Sequence, residues 1–531
     1  MVTMRRRKQA PQLFRSDPII AGLSLIALVF SLVIIFYLEA TKENISIEEL
    51  VIKEEKFGVA KFNQFNQFRQ QSFKKLRYYP AQEDAADLAA SEEPMTIDEV
   101  TEFLYKWVHG LHAELLKDEN LSSAQAMWKT YHDWTRKMLV PWDKEYLRRM
   151  PVPRQDDSIF LSLATYRDEN CLNTLSWAYG NATYPERLFV GLVQQNCYEN
   201  CRSGVQEHGG TIETPPDQDC HQAFCDLHPN LCSQIRPLKL KEIESLGPYG
   251  ARFLASKLYD GEQFYMQLDA HMTFLEHWDD ITLKSIHKAP SNKPIIAHYP
   301  PGHKMDLANH WAMRPAGRLC GPVFSKPDGG IVRLEGLRKW DKIKIPIPRF
   351  APFVAAGFLF GTALLLKEVP FDPYLPWIFM GEEMIMSTRF WTSGYDLFSP
   401  AQAVVGHIYV REHKPKFWET MSRFFKHAAH DDIEALVLLR ITHQLGYPEA
   451  ARDLITETSV LSDLAHYSMG HVRTIEQYMQ YAGIDVMRKE IFMTNYCEEH
   501  IMPPGKEHLA KLYEDAEAES RKNATLVEQG K

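Results

Sequence analysis

The sequence predicts an α/β fold: an open, mostly parallel central sheet with flanking helices, preceded by one transmembrane helix and a helical stem. Three observations carry that expectation. From Ser158 onward, apolar runs that break into polar residues alternate with stretches of helical period, the pattern of strand–helix–strand units. Residues 18–38 contain no charged side chain. Between these regions, residues 39–154 are mostly polar with scattered helical patches.

The N-terminal elements come first. The basic stretch "MRRRKQAPQLFRSD" precedes the uncharged run "PIIAGLSLIALVFSLVIIFYL". At a rise of about 1.5 Å per residue, that run spans a hydrocarbon core of about 30 Å. A signal peptide would carry an apolar region of about 7–15 residues and a small-residue cleavage site, and Tyr37-Leu38-Glu39 is a poor one. The expectation is a cytoplasmic tail over 1–17 and a signal anchor over 18–38. Arg5, Arg6, Arg7, Lys8 and Arg15 lie before the run, and Glu39, Glu43, Glu48 and Glu49 after it. The basic flank should stay cytoplasmic, which makes the chain a single-pass type II protein of the Golgi or ER membrane with its remainder lumenal. Asn44, Asn120, Asn181 and Asn523 head glycosylation triplets that agree with that side.

Residues 39–154 read as the stem. Thr96 and Glu99 form a capping box ahead of "VTEFLYKWVHGLHAELL", Pro141 marks a helix end, and Pro151-Val152-Pro153 marks a boundary. The α/β domain is expected over 155–420. In it, "SIFLSLATYRDE" reads as a strand, "NCLNTLSWAYGNA" as a helix and "RLFVGLVQQN" as a second strand. "YGARFLASKLYDG" is the next helix, with Gly261 near its end, and "QFYMQLDAH" the next strand. Five of the eight cysteines, Cys197, Cys201, Cys220, Cys225 and Cys232, crowd into an insertion over 197–232. Their spacing matches no standard zinc pattern, and an oxidising lumen favours disulfides, whose connectivity stays open. Residues 421–531 read as a polar helical extension ending in a frayed tail.

With 45% hydrophobic and 24% charged residues, the composition is that of a folded globular protein. The formal net charge is −9, with no dominant basic tract beyond the N-terminus, so no nucleic-acid partner is expected.

The chemistry concentrates in "QFYMQLDAH". Asp269 and His271 stand two apart where an apolar strand ends, so both side chains point to one side. A carboxylate and an imidazole there can share a divalent cation. In open α/β sheets, ligands sit beyond the carboxyl ends of the strands. Taken alone, such a triplet is more often a solvated strand end; the downstream sequence adds weight. Gly357 and Gly361 flank an apolar turn where backbone could approach a sugar. Asp372, Glu382 and Glu383 gather carboxylates near one loop–helix junction, the last two at a helix start, where an acidic turn is also stable without a ligand. His407 interrupts another apolar run. It could be a paired core histidine, but an Asp-x-His site needs such a third ligand.

With these residues in view, the sequence resembles the polypeptide α-N-acetylglucosaminyltransferases, a GT-A family typified by the enzyme that modifies hydroxyproline on Skp1. The resemblance covers roughly 158–419. It rests on the order and spacing of "IFLSLATYRDENC", "GPYGARFLASKLYDGEQFYMQLDAHMTF", "PIIAHYPP", "FVAAGFLFG", "PWIFMGEE" and "HIYVREHKPKFWE". It implies a retaining transferase that uses UDP-GlcNAc and a divalent cation, manganese first and magnesium second, on a Thr, Ser or hydroxyproline hydroxyl of a polypeptide acceptor. Asp269, His271 and His407 would be the metal ligands. Thr165, Tyr166 and Arg167 would meet uridine, and Arg252 the diphosphate. Asp372, Glu382 and Glu383 would be the donor-sugar and acceptor contacts. "FDPYLPWIFMGEE" also resembles a loop of polypeptide GalNAc-transferases, so another UDP-sugar, GalNAc or glucose, stays open as donor. The hydroxyproline enzyme lacks a membrane anchor, whereas this chain carries the uncharged run at 18–38, which argues against a cytoplasmic Skp1-like acceptor; the cysteine-rich insertion and the helical tail would shape a different acceptor groove. Two other classes compete: a metal-dependent phosphoester hydrolase, which would usually need more clustered His and Asp ligands, and an inactive relative serving as a lectin or adaptor.

Overall fold

The computed structural model describes residues 93–117, 124–205, 211–303, 316–325, 330–335, 345–409, 415–418, 430–448, 450, 458–492 and 501–529. The anchor expected over 18–38 and the triplets at Asn44 and Asn120 lie outside the described residues. No helix among the described residues is long and apolar enough to cross a membrane.

The strands run in chain order as follows. β1 (Ile159–Tyr166) and β2 (Leu188–Asn196) open the sheet, and a small hairpin of β3 (Arg202–Val205) and β4 (Thr211–Glu213) lies in the cysteine-rich segment. Next come β5 (Ile235–Lys241), β6 (Phe264–Asp269), β7 (Met272–Phe274) and β8 (Pro294–Ala297). A second hairpin, β9 (Pro322–Phe324) and β10 (Val332–Leu334), precedes β11 (Arg349–Phe350) and β12 (Phe358–Thr362). β13 (Asp396–Ser399) and β14 (Val405–His407) follow.

The central sheet has the order β11-β13-β8-β12-β6-β1-β2-β5. β1 runs parallel to β2 and β6, β2 to β5, and β13 to β8. β12 lies antiparallel between β6 and β8, and β11 antiparallel to β13. The mixed α/β sheet predicted from the alternation is therefore present and mostly parallel. Burial on both faces explains why "IFLSLATY" is almost continuously apolar. Its odd and even positions feed different cores. Ile159, Leu161 and Leu163 pack with the helix Cys171–Gly180. Phe160 packs with the helix Gly247–Ser256 on the opposite face.

Outside the sheet, sequence and structure part in several places. The capping box at Thr96 and Glu99 is present, with Thr96 N donating to Glu99 Oε2 at 2.8 Å and Glu99 N to Thr96 Oγ1 at 3.2 Å. Pro141 does not end a helix. The helix Ala124–Trp134 passes through one π-turn, Thr135–Leu139, into the helix Val140–Arg148. Proline sits in the first turn of that last segment, where a missing N–H costs least.

Nor do the described residues between 97 and 148 stand apart as a stem. Trp107, Trp128 and Tyr131 share one hydrophobic cluster with Tyr374 and Trp377 of the α/β domain. Likewise, the last helix, Ala510–Gln529, is formed where a frayed tail was expected. Tyr513 anchors it, buried against Phe350 and donating to Pro348 O at 2.7 Å.

Among its described residues, the cysteine-rich segment holds its cysteines in disulfides rather than in a zinc site. Cys171 pairs with Cys220, Cys197 with Cys201, and Cys225 with Cys232. Cys320 is also disulfide-bonded. His221 lies beside Cys225 and Cys232, but both sulfurs are committed to each other.

Candidate active site

The chain steps from β1 outward through β2 to β5, then returns to place β6 on the other side of β1. That reversal opens a crevice beyond the carboxyl ends of β1 and β6, where α/β sheets bind ligands. The crevice is a cavity of about 840 Å³ whose walls include Tyr166, Arg252, Asp269, Glu383, His407 and Trp418.

Asp269 is the last residue of β6, and His271 sits in the turn before β7. That turn is clamped. The Thr174 hydroxyl donates to Ala270 O at 3.0 Å and accepts from Met272 N at 2.9 Å. His407 arrives by strand pairing: β14 runs antiparallel to β7, with His407 opposite Met272. Ile408 N donates to His271 O at 3.0 Å, His407 N donates to Pro301 O at 2.8 Å, and His303 N donates to His407 O at 2.9 Å. His407 Nε2 lies 3.0 Å from Asp269 Oδ2, and the two imidazole centroids are 4.6 Å apart.

One ligand atom from each of Asp269, His271 and His407 falls within 4.8 Å of the others. Two further observations fit a cation there. A Cβ on Gly357 would come 2.9 Å from Asp269 Oδ2, so glycine opens the space beside this carboxylate. His407 Nδ1 is buried without a hydrogen-bond partner, which puts the polar contacts of that ring on Nε2. A carboxylate and two imidazoles suit a divalent transition metal better than calcium.

Charge around the site is organised by Arg252, on the helix Gly247–Ser256. One terminal nitrogen is 2.7 Å from Asp269 Oδ1, and the other is bound to Glu382. Gln267 joins them, its amide donating to Glu382 Oε1 at 3.2 Å and to Ala356 O at 2.6 Å. Burial pushes the Asp269 carboxyl up, but the His407 hydrogen bond and the charge of Arg252 outweigh it and hold it well below the usual range. Burial also opposes the Arg252 charge, yet Glu382 and Asp269 together raise its pKa further. The carboxylate and guanidinium are thus both ionised near neutral pH.

Glu382 and Glu383 open the helix Glu382–Thr392 after Gly381, whose φ of 90° is left-handed. A Cβ on Gly381 would come 2.9 Å from both Ile331 and Ile441, so glycine serves conformation and packing alike. Burial raises the Glu382 carboxyl despite Arg252. Burial also pushes Glu383 up to about 7, although it accepts from the Tyr299 hydroxyl and, at 3.0 Å, from Ala356 N. Glu383 is therefore poised to exchange a proton near neutral pH.

The structure brings Asp269, His271, His407, Arg252, Gly357, Glu382, Glu383 and Tyr166 to one cavity. It does not bring Thr165, Arg167 or Asp372 to it, a correction to the sequence-based expectation. Strand side chains alternate. Ala164 and Tyr166 face the cavity, whereas Thr165 is buried with its hydroxyl unpartnered. Arg167, in a left-handed turn with φ of 47°, sends its side chain to Asp217 at 2.8 Å and to Arg202 O at 2.7 Å.

Asp372 is fully buried in an ion pair with Arg440 at 2.6 Å, which ties the loop before Tyr374 to the helix His430–Leu445. Gly361 also leaves the expected turn. It lies within β12, where a Cβ would meet Leu365 and Ile295. Sequence reasoning missed Asp168, Tyr299 and Tyr409, which line the cavity. Asp168 was visible in "TYRDE" as the carboxylate just beyond the first strand.

A family model described as "Glycosyltransferase (GlcNAc)" matches residues 158–488, more than half of the chain. No curated protein matches the sequence. Among solved structures, GalNAc-T7 with UDP, GalNAc and Mn2+ is 13% identical, with a TM-score of 0.34 over 61% of this chain and 55% of that one. This chain thus spans about half the length of that relative. S. aureus TarS is similar at 14% identity and a TM-score of 0.29, over 69% of this chain and 54% of that one. Its 1–349 fragment is 12% identical, with a TM-score of 0.29 over 58% and 73%. These structural likenesses are too slight to carry an argument.

Proposed function

Because the chain belongs to the GlcNAc glycosyltransferase family, we propose that it transfers GlcNAc from UDP-GlcNAc, with retention, to a hydroxyl of Thr, Ser or hydroxyproline in a polypeptide. The observation that carries this reading is the convergence of Asp269, His271 and His407 with Glu382 and Glu383 in one cavity at the carboxyl ends of β1 and β6. In the same reading the enzyme is held by its N-terminal segment in the Golgi or ER membrane, with the catalytic domain lumenal.

Asp269, His271 and His407 would hold a divalent cation, Mn2+ or Mg2+. The chemistry such an ion supplies is neutralisation of charge on the departing diphosphate. Arg252 fixes Oδ1 of Asp269, leaving Oδ2 toward His407. Tyr166 offers an aromatic face at the end of β1, where the nucleoside would lie. Glu382 is held by Arg252 and Gln267, and Glu383 by Tyr299 and Ala356 N. A double displacement needs a carboxylate directed at the anomeric carbon. With both glutamates already engaged, front-face attack is the preferred route to retention.

The test is to incubate the purified full-length chain in detergent and Mn2+ with UDP-GlcNAc, UDP-GalNAc or UDP-glucose. Thr-rich and hydroxyproline-rich peptides serve as acceptors, with UDP release and peptide mass as readouts. A peptide mass increase with UDP-GlcNAc supports the proposal. Transfer from another UDP-sugar alone would correct the donor. Sugar binding without UDP release would point to a lectin, and phosphate release without acceptor to a hydrolase.

A further inference from the structure

Beyond the three ligands, one buried carboxylate is aimed at the site. Asp168 follows β1 in the crevice wall. Its side chain is 1% exposed, and Oδ2 lies 2.7 Å from His271 Nδ1. A carboxylate offers only acceptors, so Nδ1 carries the hydrogen and donates it. Nε2 is then the ring nitrogen with a lone pair to give. Metal-bound histidines are commonly fixed in this way by a second carboxylate.

Asp168 is itself held on several sides. Oδ1 accepts from Asn170 N at 3.0 Å, and the backbone carbonyl accepts from Cys171 N at 3.4 Å. Its neighbour Arg167 is locked in a left-handed turn by the buried pair with Asp217, and Asp217 in turn accepts from Cys197 N at 2.8 Å. The turn that presents Asp168 is thus braced by the cysteine-rich segment. Thr174, one helical turn beyond Cys171, clamps the backbone on both sides of His271.

We infer that Asp168 is a positioning residue of the metal site, fixing the tautomer and ring orientation of His271 so that Nε2 is presented to the cation. This rests on the reading of Asp269, His271 and His407 as metal ligands.

The test measures Mn2+ affinity of the full-length chain, without donor or acceptor, from the electron paramagnetic resonance signal of unbound Mn2+. Loss of such a carboxylate typically costs 10–100-fold in metal affinity, so Asp168→Ala should weaken Mn2+ binding by about that factor. Asp168→Asn keeps an oxygen that can accept from Nδ1 and should recover part of the loss, a graded rescue that a merely structural role would not give. Thermal melting of each variant identifies any that fails to fold, and Asp168→Asn then carries the measurement. Wild-type affinity in a folded Asp168→Ala chain would overturn the positioning role alone. A wild-type chain that binds no Mn2+ would overturn the metal reading and this inference with it.

Discussion

At the scale of single residues, Asp269 is the group on which the site turns. Its oxygens are divided between Arg252 and His407, and its low pKa keeps it charged. Asp269→Asn removes that charge while nearly preserving volume, so transfer activity should fall by at least about 100-fold, the scale of losing one electrostatic contact to a transition state. Turnover of purified Asp269→Asn with UDP-GlcNAc checks this. Glu383 makes a separate prediction. Its carboxyl titrates near the ordinary 4.5 in the unfolded chain and at about 7 in the folded one. Between those values the folded state keeps a proton that the unfolded state has released. The contribution of Glu383 to stability is therefore greatest below the unfolded value and falls by about 1.4 kcal/mol per pH unit until it levels above the folded one. Denaturant titrations at several pH values should show wild type and Glu383→Gln differing by about that slope.

Asp269 and His271 were legible as a pair because a strand ending in two polar side chains is a local pattern, whereas His407 joined them only through the family resemblance. The resemblance grouped Thr165, Tyr166 and Arg167 at the end of the first strand, and two of the three are lost to strand alternation and a left-handed turn. Asp168 escaped because its importance depends on a residue distant in sequence, His271.

At the scale of elements, strands and helices around the site were legible because their patterns are local and strong. What no local pattern reveals is how distant elements are fastened. Asp372 illustrates this. Chemistry and sequence position suggested a substrate contact, but the side chain bonds Arg440 through Nε at 2.6 Å and a terminal nitrogen at 3.1 Å. Breaking a buried pair by removing one partner typically costs about 3–5 kcal/mol. Asp372→Ala should lose about that much stability in denaturant unfolding, with Mn2+ affinity of the folded fraction unchanged. A loss of Mn2+ affinity without a loss of stability would return Asp372 to the active site. β7 and β14 make the complementary case. Three residues each, they were too short to stand out as a pair, yet their ladder carries His407 across to the end of β6.

At the scale of the whole molecule, the boundary expected near residue 155 is not where the structure divides. Asp143, on the helix Val140–Arg148, pairs with Lys257 at 2.5 Å and accepts from the Tyr467 hydroxyl at 2.7 Å, all three buried. Tyr131 donates to Pro373 O at 2.5 Å, and Trp128 Nε1 donates to Ser459 Oγ at 3.0 Å. Segments read as stem and as C-terminal extension therefore meet each other and the α/β domain in one interior. A protein truncated to 155–531 would lose Trp107, Trp128 and Tyr131 and so expose Tyr374 and Trp377, and should aggregate, whereas one truncated to 88–531 should stay soluble with a single cooperative melt. Size-exclusion chromatography and calorimetry of the two separate the alternatives.

The bracing of Arg167 and Asp217 beside Cys197 also sets a condition on how this protein can be made. In a bacterial cytoplasm thiols stay reduced, and the tethers at Cys171–Cys220 and Cys197–Cys201 would be missing while the chain collapses. The turn bearing Asp168 would then be assembled on a slack support. Material from such a host could look folded by its secondary structure and still lack the braced turn at the crevice, so a periplasmic, yeast or insect-cell source is the sound choice for any assay of its chemistry.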